Sequence, residues 1–337
     1  MHRQRTPESG GDRVYRLATA IVAASIPIFV FAILIFLLQY SLPAIRFNGL
    51  GFFTSIKWDL GNLNAVNFIT RNGVEGLPGA SYGVLVLLTG TLASSAIALL
   101  LAIPTSVAVA LFTVEEAPHR VREPLTALVD LLAGVPSVVY GLWGVVVLVP
   151  LMRRFLAPGL ASIVGFVPFF GGVTGAGYGL LTAGLVLSLM VTPIISSTVR
   201  EAFAKTPIDL KEGALALGCT KWEMERKVVL PFSKTTITGA SLLGLGRAFG
   251  ETMAILMVGG GALNYLPGNI YSPISTMATA IVSLLDSAFT DPTNLAIYSL
   301  AEVALVLFLI TLAANMLARM FVSGGVARVF VSRSSRQ

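Results

Sequence analysis

Charge is scarce in this chain. Asp, Glu, Lys and Arg make up 12% of its 337 residues, about half the share of a soluble domain. That scarcity excludes a fully hydrated globular surface. With 55% hydrophobic residues, it points to an all-α polytopic membrane protein. Cysteine is nearly absent too, and a single Cys219 excludes an internal disulfide. The two histidines, His2 and His119, lie far apart in polar segments, so no Cys/His cluster offers a metal site. No phosphate loop of the form G-x-x-x-x-G-K followed by Ser or Thr occurs, which excludes nucleotide hydrolysis through that motif. Nor does any nucleophile–base constellation appear, so an enzyme is not expected.

Long uncharged runs stand in place of charge. Residues 1–16 are polar and basic and read as a mobile tail. Residues 17–45 carry no charge and are too long for a signal-peptide core of about 7–15 residues, so they form the first spanning helix. Segment 17–82 is that helix with an external loop, 83–320 a membrane core of five further spans, and 321–337 a second tail. Within the core the spans fall at 84–114, with Pro104 as a potential kink, and at 125–152, interrupted by Asp130, Pro136 and Gly141. The others fall at 179–199, 235–261 and 296–320. Segment 155–178 is rich in Gly, Pro and Phe and reads as a loop on or dipping into the bilayer face; 262–296 reads as another loop. Six spans put both termini on one side. Lys and Arg number four in the N-terminal segment, two in 115–124, seven in 200–234 and four from Arg319 onward. The intervening segments hold three, two and none, so the positive-inside rule places the termini and 200–234 in the cytoplasm.

Two features break the apolar pattern. Thr206 is suited to cap a helix with Pro207 at its first position and Asp209 in its first turn. Leu210, Ala214 and Leu217 share one helical face, and Gly218 suits the left-handed residue that ends it. Thr220-x-x-Glu223 is a capping box for a second short helix, with Glu223 and Lys227 at i,i+4 and Pro231 as its stop. The segment is thus a corner of two helices, shaped to dock into a partner's groove. The second feature is an arginine, Arg247, roughly 18 Å into the fifth span, with Glu251 one helical turn beyond. A charge at that depth costs at least about 2.5 kcal/mol and ordinarily faces a cavity or a partner. Arginine cannot escape by deprotonating, and its planar fork matches an oxyanion. Glu251 can neutralise it in an empty path and, if ionised, only accepts hydrogen bonds, which favours an oxyanion that carries a proton. A purely structural ion pair is the competing reading. Asp130 and Glu302 read as interhelical hydrogen-bonding or snorkelling groups, and Gly244, Gly246 and Gly250 as close-packing positions.

The run Glu212-Gly213-Ala214, three residues, Gly218, nine residues, Val228-x-Leu230-Pro231 resembles the loop by which ABC-importer permeases engage a separate ATPase. Gly213 stands where alanine is commoner in that loop. Val135-Pro136-Ser137-Val138-Val139-Tyr140-Gly141 and Leu245-Gly246-Arg247-Ala248-Phe249-Gly250-Glu251-Thr252 resemble the PstC-type permeases of phosphate-specific ABC importers. The resemblance implies a type I (MetI-like) permease fold in the bacterial inner membrane. It implies a PstA-like second permease, a PstB-like ATPase dimer that binds the ATP and Mg, and an external PstS-like phosphate-binding protein. No cofactor in this chain and no nucleic-acid partner are implied. It assigns substrate passage to Arg247, Glu251 and Thr252, and ATPase coupling to Glu212, Gly213, Ala214, Gly218, Leu230 and Pro231. The residues alone stop at an anion. Molybdate and sulfate, or passage through an ATP-independent channel or carrier, are the other readings, and the last does not account for the coupling loop.

Overall fold

The computed structural model describes residues 10–172 and 175–334, so most of the expected N-terminal tail lies outside the described residues. Ten helices of six or more residues organise them: α1 Gly10–Asn48, α2 Leu85–Leu111, α3 His119–Ala133, α4 Ser137–Val164, α5 Leu180–Ala204, α6 Ile208–Ala216, α7 Lys221–Phe249, α8 Met253–Val258, α9 Met277–Ala288 and α10 Leu295–Ser334. Six of them, α1, α2, α4, α5, α7 and α10, contain stretches long and apolar enough to cross a membrane. After α1 come two small antiparallel ribbons, β1 Trp58–Asp59 with β4 Ser81–Tyr82, and β2 Ile69–Arg71 with β3 Val74–Gly76.

Several boundaries differ from those read in the sequence. Helix α1 starts at Gly10, inside the segment assigned to a tail, and α10 runs on to Ser334. The expected span 125–152 is divided. Its first part belongs to α3, an amphipathic helix without buried residues that ends at Gly134, and the crossing helix begins at Ser137 after Pro136. Helix α4 then continues to Val164, so the first ten residues of the segment expected to be a loop at 155–178 are helical. The loop expected at 262–296 holds α9, which opens on a capping box between Thr276 and Thr279. The fifth span does not reach residue 261, because α7 stops at Phe249.

Proline placement explains why α4 and α7 run on where breaks were expected. Four π turns, Phe112–Glu116, Gly144–Leu148, Met152–Leu156 and Glu225–Val229, each end two residues before a proline: Pro118, Pro150, Pro158 and Pro231. Proline donates no backbone hydrogen bond, and its ring collides with the carbonyl four residues back. Widening the preceding turn moves that carbonyl aside: the amides of Ala117, Val149, Ala157 and Leu230 bond to carbonyls five residues earlier. Pro231 therefore lies inside α7 and does not stop it.

Helix α5 is the centre, and most of its apolar stretch is buried. Its most extensive partner is α2, and α7 packs on it as well. No hydrophobic attraction separates helix from lipid inside a bilayer, so close approach of small residues sets such contacts. At Gly184 of α5 a Cβ would lie 2.5 Å from Ile97 Cγ2 on α2, and at Gly244 of α7 a Cβ would lie 2.7 Å from Val191 Cγ1 on α5. By contrast, the most apolar stretch of α1 has no buried residue. It meets the rest through its last turns, where Ser41, Ala44 and Phe47 are buried and Asn48 Nδ2 donates to Glu302 Oε2 of α10 at 3.0 Å. Asp130 of α3 in turn accepts from Arg200 Nη2 of α5 at 3.0 Å on both oxygens. Both carboxylates thus serve interhelical contacts. Gly184→Ala should destabilise the fold by about 1–3 kcal/mol through overpacking against a β-branched neighbour. A lower apparent Tm of the detergent-solubilised protein is the expected result.

Candidate functional site

The two motifs of the sequence meet in space. Gly141 sits against α8, where an added Cβ would lie 3.0 Å from Ala254 Cα and 2.8 Å from Met257 Sδ, so the start of α4 and the segment after Arg247 form one locus. Beside it a cavity of about 410 Å3 is lined by Leu132, Val135, Val139, Tyr140, Trp143 and Leu189. The Tyr140 hydroxyl donates to Leu132 O at 2.8 Å, and Arg247 lies within electrostatic reach of that phenol.

The chain breaks between Arg247 and Glu251. Helix α7 ends at Phe249, Gly250 and Glu251 bond back to Arg247 O and Ala248 O, and α8 restarts at Met253. Glu251 is consequently not one helical turn along the same face. It is 7% exposed and accepts a long hydrogen bond from Ala254 N–H at 3.4 Å, at the start of α8. Thr252 is half-buried, and its Oγ1 donates to Gly250 O at 3.2 Å. Arg247 is exposed and makes no hydrogen bond or ion pair among the described residues. The expected neutralising pair is therefore not formed. Arg247 keeps one favourable term, since a cation in the last turn faces the negative end of the α7 macrodipole. An interrupted helix inside a membrane protein is tolerated where its backbone is satisfied, and here the amides of Gly250 and Glu251 bond to Arg247 O and Ala248 O while Thr252 O accepts from Leu256 N–H. The sequence does not mark this break, because Gly250 is one of several glycines in 235–261, with Gly244 and Gly246 among them.

The second locus is the projection 206–231. Helix α6 has no buried residue, and Glu212 and Gly213 on it are exposed. Ala214 and Leu230 are half-buried against the core, whereas Pro231 is exposed. Gly218 takes φ +87° and turns the chain, as its position required. The capping box forms in full: Thr220 Oγ1 accepts from Glu223 N–H at 3.3 Å and Glu223 Oε2 accepts from Thr220 N–H at 3.0 Å. Lys227 Nζ donates to Glu223 Oε1 at 3.0 Å. Thr206 does not cap α6. Its amide closes the final turn of α5 on Phe203 O, its hydroxyl is buried without a partner, and Pro207 takes the cap position. Leu210 and Leu217 do not share a buried face, because α6 ends at Ala216; they are 48% and 87% exposed. An exposed series of Ile208, Leu215, Leu217 and Trp222 leaves the corner without a cover of its own.

Residues 102–324 match the model of the family described as binding-protein-dependent transport system inner membrane component. The phosphate transport system permease protein PstC 1 of Mycobacterium tuberculosis is 49% identical over 282 residues, covering 83% of each chain. PstC of Pasteurella multocida is 39% identical over 269 residues, covering 79% of this chain and 82% of that one. Among solved structures, a chain of a bacterial alginate ABC transporter, in complex with an alginate pentasaccharide-bound periplasmic protein, aligns with TM-score 0.57. It covers 94% of this chain and 99% of that chain at 18% identity, a likeness of fold.

Two glycines in the corner should respond oppositely to alanine. A Cβ at Gly213 meets no atom within 4 Å in a helical conformation, so Gly213→Ala should stabilise α6 by about 0.5–1 kcal/mol. Gly218→Ala, at positive φ, should cost about 1 kcal/mol or more. Amide hydrogen exchange across 208–217 is the check: slower exchange in the first variant and faster in the second.

Proposed function

The chain belongs to the family of binding-protein-dependent transport system inner membrane components, and from that premise we infer how it moves its substrate. It is a multi-pass permease subunit of an ABC importer, acting in phosphate transport. A second permease of the PstA type shares the path, a PstB-type ATPase dimer binds and hydrolyses ATP with Mg, and a PstS-type protein delivers phosphate from outside. The termini and the corner around Glu212 lie in the cytoplasm, in keeping with the clustering of Lys and Arg there.

The observation that carries the reading is Arg247: exposed, unpaired among the described residues, and roughly 20 Å along α7 from Lys234, beside a helix break. Its guanidinium offers planar, permanently charged donors that a phosphate oxygen pair fits. Glu251 lies at the break with one oxygen toward Ala254. An ionised carboxylate there only accepts hydrogen bonds. Hydrogen phosphate has a proton to donate and sulfate at neutral pH has none. Arg247 thus attracts the anion and Glu251 disfavours the unprotonated competitor, with Thr252 supplying a hydroxyl beside them. No bond is made or broken in the substrate. Transport consists of alternating exposure of this locus, driven from the ATPase through Glu212, Gly213, Ala214 and Gly218 into Leu230 and Pro231. A channel or carrier would share Arg247 but have no use for an exposed, capped corner.

The reconstituted complex is expected to take up radiolabelled phosphate in proteoliposomes only with ATP inside, with sulfate and molybdate competing poorly. Arg247→Gln should lower uptake by roughly 10–100-fold, the loss of a charge-assisted contact of about 1.5–3 kcal/mol, with assembly unchanged. Normal uptake by that variant would refute the role of Arg247. Glu251→Gln should raise inhibition by sulfate.

A further inference from the structure

The cytoplasmic end of α2 is chemically odd. Its closing π turn carries Glu115 and Glu116, two carboxylates at a helix C-terminus, where the macrodipole and the free carbonyls are already negative. Both are answered from the corner. Lys211 of α6 places Nζ 2.5 Å from Glu115 Oε1, with the two side chains only 16% and 10% exposed. Lys221, the first residue of α7, donates Nζ to the Glu115 carbonyl at 2.7 Å and pairs with Glu116 Oε1 at 3.0 Å. Glu225, 4% exposed, turns its carboxyl toward Glu116 from the same side. The two lysines flank Gly218, so each arm of the corner is fastened separately to one point of α2. That point is also tied sideways, since Arg122 of α3 donates Nε to Thr113 O at 2.8 Å.

A surface pair of this kind would count for little, but Lys211–Glu115 is nearly enclosed, and a buried pair resists separation because either charge alone is poorly solvated. We propose that Glu115 and Glu116 form with Lys211 and Lys221 an ionic strut through which the corner moves α2, in parallel with its covalent continuation into α7. Helix α2 has the most extensive interface with the central α5, so the strut gives the ATPase a second handle on the bundle. These four residues are positioning residues. They touch neither substrate nor nucleotide.

The inference rests on the reading of the chain as an ATP-driven permease, and the wild-type complex tests that reading separately. If wild type shows no ATP-dependent phosphate uptake, the function is wrong and the strut is moot. If it does, Glu115→Gln and Lys211→Met decide. Both should assemble with the partner subunits and retain ATP hydrolysis, while phosphate moved per ATP falls roughly tenfold, the size of a typical coupling between two sites. The reversed pair E115K with K211E should recover most of that ratio. A purely stabilising role would lower the amount of complex without changing the ratio. Where a single variant fails to assemble, E115C with K211C in a C219S background joins the same points covalently through a short bifunctional thiol reagent. Uptake per ATP should rise on crosslinking. Unchanged ratios in the single variants, or no gain on crosslinking, would overturn the strut.

Discussion

The amide of Leu230 bonds to the carbonyl of Glu225, five residues back and not four, and the rest of the machine depends on that displacement. It removes the carbonyl that the ring of Pro231 would strike, and so lets one helix run from Lys221 to Phe249. The second arm of the 206–231 corner and the arginine at the candidate site consequently belong to one rod. At 1.5 Å per residue the distance from Lys221 to Arg247 is roughly 39 Å, and helix bending is the only compliance between them. A true stop at Pro231 would have made two bodies joined by a hinge, and displacement at one end would not fix displacement at the other.

Rigidity within helices leaves motion to the contacts between them. Those contacts are close and small-residue in type around α5, as at Gly184 and Gly244, and are therefore intolerant of partial separation. Packed interfaces of that kind shift between discrete arrangements. The break at 250–252 is the exception, a place where backbone direction changes beside Arg247 and where Glu251 is drawn inward by the start of α8. The rod thus ends on a break beside a cation that has no ion pair among the described residues.

Much of this was legible in the residues. The scarcity of charge, the six apolar runs, the capping box at Thr220 and the left-handed Gly218 follow from local chemistry that lipid and packing do not override. Prolines were legible as constraints but not in their outcome. Whether Pro150, Pro158 and Pro231 break a helix depends on whether the preceding turn widens, and periodicity carries no sign of that. The division between α3 and α4 was hidden because α3's exposed leucines, such as Leu128 and Leu131, read as span residues. The Arg247–Glu251 relation failed for a similar reason: spacing of four implies one face only if the helix persists. The lysines that hold Glu115 and Glu116 lie about a hundred residues away in the chain, beyond the reach of any local pattern.

The clasp between α1 and α10 carries a consequence for how the protein is made. Asn48 and Glu302 are separated by 254 residues, so Glu302 cannot meet its partner until the final helix has been synthesised. At about 5–20 residues per second, the first helix waits roughly 13–50 s in the membrane before the last one arrives. During that interval its end, with Phe47 and Asn48, has nothing of this chain's α10 to rest on. Closure of the clasp therefore requires that α10 has already been made.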